Sequence, residues 1–358
     1  MKKAIFFRKK QNQTDQNVET SSLGKYGPVQ VRRYSYLDVK TMTNSFKEKI
    51  GEAEYDTVYK GKLHNGIHVA VKVFDESNSI HDTGVVFMNE VTTVSRTSHV
   101  NVVALLGFCS EGRRKALIYE FMPNGSLEKY IFKDNHLLGW EALFQISLGV
   151  AQGLEYLHRC CNIRILHFGI KPHSILLDED FSPKIAGFAH ARVCTTKESI
   201  TSTSGARGTI GYIAPELFWR TFGGVSHKSD VYSYGMTVLQ MVGLGGRKIL
   251  NATADCSSEI YFPEWMYERH FELDEDLGLT RIANEEDNEK VRKMVMTGLW
   301  CVQTHPSNRP TMSRVIEMLE GSLDSLQVPP KPLWYSPLRS QTGSSNHVTT
   351  SNGASDED

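Results

Sequence analysis

Apolar and polar positions alternate strictly in "HVAVKVF", residues 68–74. A period of two predicts a β-strand with Val69, Val71 and Val73 on one face and Ala70, Lys72 and Phe74 on the other. Downstream the period lengthens. Phe87, Glu90, Val91 and Val94 recur at i, i+3, i+4 and i+7, which predicts a helix with one carboxylate on a mainly apolar stripe. Burying that carboxylate is costly unless a cation meets it, and Lys72, set among valines, is the natural partner. The alternative is a lysine and a glutamate at the core edge, stems covered and heads in water.

The later two thirds of the chain read as mostly helical. "WEALFQISLGVAQGLEYLHRCC" places Ala142, Ile146, Val150 and Leu154 on one face. "SDVYSYGMTVLQMV" opens on Ser229 or Asp230, either of which suits a helix N-cap. Between the strand-rich and helical parts lies "LIYEFMPNGSLEKYI", with Pro123-Asn124-Gly125 as the expected turn and Ser126 as the expected cap of the next helix. Both ends are polar and aperiodic. Residues 1–33 are read as a flexible basic and polar arm and residues 327–358 as a disordered tail, within which Trp334 and Tyr335 could dock back.

Composition adds bounds rather than identity. With 358 residues, 40% hydrophobic and 10% aromatic, the chain can fill one large two-lobed domain or two ordinary ones. Lys and Arg (40) balance Asp and Glu (41) to a net charge of -1, so no overall field steers it toward nucleic acid, and a charge-driven partner must use a local patch. The cysteines Cys109, Cys160, Cys161, Cys194, Cys256 and Cys301 have neither zinc spacing nor disulfide density and are read as reduced thiols. Near the N-terminus the longest apolar run, residues 4–7, is too short for a signal sequence or a membrane span. Its basic flanks fit either a membrane-proximal segment or a solvated tail.

Six short motifs follow one another: "VAVK" at 69–72, Glu90 in "FMNEV", "LIYEFMPNGSL", "GTIGYIAPE" at 208–216, "SHKSDVYSYGM" around Asp230, and "HPSNRP" at 305–310. In this order, over residues 34–326, they resemble a protein kinase domain, of the leaf-rust-resistance type of plant receptor-like kinase. The resemblance implies an α+β, two-lobed protein kinase fold, with a small β-rich N-lobe over about 34–122 and a larger helical C-lobe over about 123–326. It implies a Lys72–Glu90 pair, an adenine slot lined by Ile50, Val58, Ala70 and Leu176, an adenine edge met by the backbone of Glu120 and Met122, and Tyr119 as gatekeeper. It also implies a buried Glu216–Arg309 ion pair, Asp230 holding the catalytic-loop backbone, and a stacked spine containing Val94, His167 and Phe188.

The departures fall where phosphoryl transfer would occur. In "ILHFGIKPHSILLDEDFSPKIAGFAHAR", Gly169 stands at the position of the catalytic Asp, Ser174 at that of the metal-binding Asn, and Gly187 at the Asp of D-F-G. Lys171 matches the catalytic-loop lysine. Asp178, Glu179 and Asp180 come next, in a turn expected to point away from the cleft. The phosphate-covering G-x-G-x-x-G is Gly51-Glu52-Ala53-Glu54-Tyr55-Asp56, whose acids are expected to face polyphosphate. Phe168 replaces the Arg that pairs with a phosphorylated activation loop. The hydroxyl-rich residues 195–209 are either a substrate for another kinase or simply solvated. These features predict a pseudokinase: no catalytic residue in working order, no required cofactor, weak or absent ATP binding, and no magnesium site. The expected partner is an active receptor-like kinase, and the expected location is cytoplasmic, at the inner face of the plasma membrane. The alternative is a weakly active serine/threonine kinase with a relocated base or metal ligand.

Overall fold

The computed structural model describes residues 31–53, 56–75, 80–131, 138–160, 163–194, 209, 211–243, 263, 267–268 and 284–331. Most of both terminal segments and of the hydroxyl-rich 195–209 stretch, as well as Glu54, lie outside the described residues.

The first lobe is a sheet. Its strands are β1 (Arg32–Arg33), β2 (Lys49–Glu52), β3 (Asp56–Lys62), β4 (His68–Phe74), β5 (Leu105–Glu111) and β6 (Arg114–Glu120), in the spatial order β1-β5-β6-β4-β3-β2. β1 runs parallel to β5 and the other pairings are antiparallel. The alternation in β4 divides the sheet as its sequence predicts. Val69 and Val71 are sealed on one face with Cys109, Ala116 and Ile118, while Phe74 joins the main core on the other.

Helix α1 (Tyr36–Met42) adds Val39 to the sealed face. Sequence reasoning overlooked this helix. Its signal is the capping box S-x-x-D: the Ser35 hydroxyl accepts the Asp38 amide at 3.1 Å, and the Asp38 carboxylate accepts the Ser35 amide at 2.9 Å. Helix α2 (Ile80–Val94) lies on the other face of the sheet, with Phe87, Glu90 and Val94 buried as the helical period requires.

The second lobe is mainly helical. Strand β7 (Gly125–Ser126) leads to α3 (Glu128–Ile131) and α4 (Trp140–Glu155), then to β8 (Arg164–Leu166), β9 (Ile175–Leu177), β10 (Pro183–Ile185) and β11 (Arg192–Cys194). Helices α5 (Pro215–Phe218), α6 (Lys228–Val242), α7 (Glu285–Cys301) and α8 (Met312–Glu320) follow. Helix α6 is buried along almost its whole length. Packing reaches past the last helix: the Trp300 indole donates to the Gln327 carbonyl and the Gln303 amide to the Pro330 carbonyl.

Two expected caps are corrected. Ser126 lies in β7, where it pairs with Leu176, and caps nothing. Helix α6 begins at Lys228 with His227 at the N-cap, because Ser229 and Asp230 spend their side chains on tertiary partners instead. Cys109, Cys194 and Cys301 are free thiols, the first and last buried and Cys194 half-buried.

Candidate active site

The register of the sheet assembles the first half of the site. Val58 pairs with Lys72, Asp56 with Phe74, and Ala70 with Tyr119. Directly opposed residues share a face, so Val58, Ala70, Lys72, Tyr119 and Asp56 all point the same way. Helix α2 brings Glu90 to that face. Lys72 Nζ lies 2.6 Å from Glu90 Oε1, the Tyr119 hydroxyl donates to Glu90 Oε2 at 2.8 Å, and Lys72 Nζ lies 3.1 Å from Asp56 Oδ2. One carboxylate thus receives a strand lysine and a second strand's phenol, which fixes α2 against the sheet.

Burial sets the charge states. Burial by itself would pull the Lys72 ammonium down, but Glu90 and Asp56 outweigh it and hold the group above the ordinary lysine value. Burial pushes the Asp56 carboxyl up, and Lys72 only partly pulls it back. Tyr119 is driven well upward by burial and by the Glu90 charge, so it serves as a neutral donor.

Around this network, Ile50 on β2 is exposed, Val58, Ala70 and Leu176 are half-buried, and Met122 is buried just beyond β6. The Glu120 carboxylate turns inward, accepting the Ala104 amide at 2.8 Å and lying 3.1 Å from Lys184 Nζ.

The second half of the site is the loop after β8. Asp230, fully buried at the start of α6, accepts the His167 amide at 2.8 Å and the Phe168 amide at 2.7 Å, and its carboxylate lies 2.9 Å from His158 Nε2. Burial would raise this carboxyl, but the hydrogen bond from His158 leads the opposing effects and leaves it below the usual range. The Gly169 amide donates to His167 Nδ1 at 3.1 Å, and His167 Nε2 faces the Ala186 carbonyl at 3.1 Å. Since an amide can only donate, Nδ1 is the acceptor and Nε2 carries the proton. The His167 ring meets Phe188 edge to face at 4.7 Å, and Phe188 belongs with Val94 to the main core.

Gly169, Ser174 and Gly187 converge although eighteen positions of sequence separate the outer two. A Cβ at 169 would sit 3.6 Å from the Gly187 carbonyl, and one at 187 would sit 3.6 Å from the Ser174 Cβ. Ser174 Oγ is already occupied, donating to the Lys171 carbonyl at 2.9 Å and accepting the Lys171 amide at 3.0 Å. Lys171 Nζ donates to Thr209 Oγ1 at 2.7 Å. The Asp178 carboxylate caps its own turn through the amides of Asp180 and Ser182. Phe168 is buried with Leu166 and Val225, and Cys194 and Leu217 pack against them.

A family model described as protein tyrosine and serine/threonine kinase matches residues 44–319. The chain belongs to this kinase family. The rust resistance kinase Lr10 of Triticum aestivum is 52% identical over 315 residues, 87% of this chain and 49% of that protein. The leaf rust 10 disease-resistance locus receptor-like protein kinase-like 2.5 of Arabidopsis thaliana is 52% identical over 307 residues, 85% of this chain and 46% of its own length. The PR5-like receptor kinase of Arabidopsis thaliana is 50% identical over 329 residues, 90% and 47% respectively. The chain spans about half the length of these relatives. Its kinase domain is therefore of the leaf-rust-10 receptor-like type. No described helix is long and apolar enough to cross a membrane.

Within the kinase domain, three features were missed or misplaced in the sequence reading. Asp56, expected to face polyphosphate, is paired with Lys72. Glu52, expected to face polyphosphate, is exposed and pairs with Lys49 at 2.5 Å. Tyr119 is bound to Glu90. Registers carry the signal for two of these, since Asp56 lies two residues from Val58 and Tyr119 opposes Ala70.

The kinase domain should lose stability in mild acid. Burial depresses His167 from 6.5 to about 4. As pH falls through 6.5 the unfolded chain takes up the proton first, so the stability present above 6.5 is lost progressively toward pH 4. His227, also brought to about 4 mainly by burial, acts with the same sign. Melting temperature should fall steadily across this window, and His167→Gln should flatten part of the slope. A wild-type melting temperature constant from pH 7 to 4.5 would contradict the neutral, hydrogen-bonded His167.

Proposed function

We propose that the chain is a pseudokinase, a catalytically impaired kinase domain that acts as a regulatory or scaffolding partner in plant receptor-like kinase signalling, within disease resistance as its relatives' names suggest. The supporting observation is the convergence of Gly169, Ser174 and Gly187 at one point of the cleft with no carboxylate among them. Phosphoryl transfer needs a base near the substrate hydroxyl and oxygen ligands for magnesium beside the phosphates. Here two of the three positions offer only hydrogen, and the third offers a hydroxyl tied to the Lys171 backbone. The residues present do not fit a magnesium ion. Loss of a general base alone costs about 10²–10⁴-fold in rate, and loss of metal stabilisation adds to this, though not additively.

What remains is the shell. The Lys72–Glu90 pair, the Asp230 contacts and the Glu216–Arg309 pair support an ordered kinase-domain shell, which is what a binding partner would recognise. The competing reading, slow serine/threonine phosphotransfer, draws on the relatives named as kinases and on the intact Lys171–Thr209 contact.

Two measurements on the purified full chain decide between them. ATP with magnesium should raise the melting temperature no more than ATP with chelator, because ligand binding to the native state would stabilise it by mass action. Label transfer from ATP to the chain or to a generic substrate should be no greater than for Lys72→Ala. Magnesium-dependent stabilisation together with Lys72-dependent transfer would overturn the proposal. For the partner, co-purification of an active receptor-like kinase from plant tissue is the expected result, and its phosphorylation state should be unchanged by Lys72→Ala.

A further inference from the structure

We propose that Asp56 is a built-in anion that sets the ligand selectivity of the cleft, excluding phosphorylated nucleotides and leaving the site to uncharged, nucleoside-sized aromatic ligands. The inference rests on the reading of the cleft as non-catalytic and extends it to what the cleft can still bind.

The backbone makes the contact unavoidable. Asp56 opposes Phe74 and Val58 opposes Lys72, so Asp56 and Lys72 are diagonal cross-strand neighbours on one face. Their side chains are only 10% and 13% exposed, and the ammonium lies 3.1 Å from Asp56 and 2.6 Å from Glu90. Two of the three ammonium protons are thereby committed to carboxylates. The ring of Phe74 flanks the same ammonium at 5.3 Å.

A polyphosphate reaching Lys72 would have to displace Asp56 and leave a nearly buried carboxylate without its cation, beside a second carboxylate on Glu90. Both consequences are unfavourable in a region of low dielectric. The trio of Asp56, Lys72 and Glu90 already carries a net charge of about -1 from formal charges, so an approaching phosphate meets repulsion as well. An uncharged ligand faces neither penalty.

The same face of the sheet offers such a ligand apolar surface. On the opposite face Val69 and Val71 are fully buried, whereas Val58 and Ala70 beside Lys72 are only half-buried. The surface next to the satisfied charge is thus incompletely covered, and flat heteroaromatic rings are suited to cover it.

The test is calorimetric titration of the 358-residue chain with adenosine, ADP and ATP, each with magnesium and with chelator, for wild type, Asp56→Asn and Asp56→Gly. Wild type should bind adenosine at least about tenfold more tightly than ATP, the scale of one close charge pair at an interface. Both variants should gain about tenfold or more for ATP while adenosine affinity stays within about threefold. Asp56→Asn keeps the size and polarity of the side chain and controls for any folding defect of the glycine variant, with ligand-free melting curves recorded for each. Wild type preferring ATP, absence of adenosine binding, or variants with unchanged ATP affinity would each overturn the assignment. Tight ATP binding without phosphotransfer would remove the role of Asp56 alone, whereas Lys72-dependent phosphotransfer would remove the pseudokinase reading with it.

Discussion

Arg309→Leu should lower the unfolding free energy by about 3–5 kcal/mol, the cost of stranding one member of a buried ion pair. The pair is fully buried on both sides, and the fork of Arg309 meets the Glu216 carboxylate twice, at 2.8 Å and 2.7 Å. The remaining donors and acceptors are also satisfied. Arg309 donates to the carbonyls of Gln303, Lys228 and Thr304, and Glu216 accepts the Ser229 hydroxyl at 2.7 Å. Removing the guanidinium leaves the buried Glu216 carboxylate with the Ser229 hydroxyl but no cation, and takes the Arg309 donor from three carbonyls. Glu216→Gln should cost less, because its amide oxygen can still accept from the guanidinium. The double change Glu216→Gln with Arg309→Leu should be less damaging than the sum of the singles, since no charge is then left alone. Chemical denaturation of the four proteins checks this, and wild-type-like midpoints for both single variants would remove the pair from the account of the fold.

The second large effect concerns restored catalysis. Gly169→Asp, Ser174→Asn or Gly187→Asp alone should leave phosphotransfer at background. All three together should restore magnesium-dependent binding only in part, because Asp56 still holds Lys72. Adding Asp56→Gly and Ala53→Gly should then raise transfer by about 10²-fold or more, the lower bound for a working general base. Local geometry permits the substitutions. A Cβ at 169 would lie 3.4 Å from the His167 ring, which is ordinary contact. Gly187 has φ of 80°, a left-handed conformation that aspartate tolerates better than most residues. Asn at 174 must give up the serine's ring of bonds with Lys171. Label transfer measured through the series tests the order, and substantial activity in any single variant would show that the missing groups do not act as one unit.

Much of this fold is legible in the sequence where one physical demand dominates. The period of two in β4 and the apolar stripe of α2 answer mainly to burial: Val69, Val71, Phe87, Glu90 and Val94 are buried as expected, while Val73 and Val91 are half-buried. The cap of α6 was misread because local preference and tertiary demand compete for the same side chains: Ser229 and Asp230 are good caps, yet they bind Glu216 and the loop at His167. Helix α1 was missed although Ser35 and Asp38 stand at capping-box spacing, because only seven residues follow and they carry little apolar periodicity. The loop positions 169, 174 and 187 were legible as chemistry, by the groups they lack. The Asp56–Lys72 contact was not, since it depends on a register that only the folded sheet fixes.

Phe168 gives the loop after β8 a different kind of anchor. Where the kinase resemblance implies an arginine that waits for a phosphate, this chain places an aromatic ring against Leu166, Val225, Cys194 and Leu217. The side chains of this cluster carry no formal charge, so their contact depends on burial and little on ionic strength. It weakens on cooling instead. The ring of Phe168 is accordingly held by burial, while its amide is held by the Asp230 carboxylate.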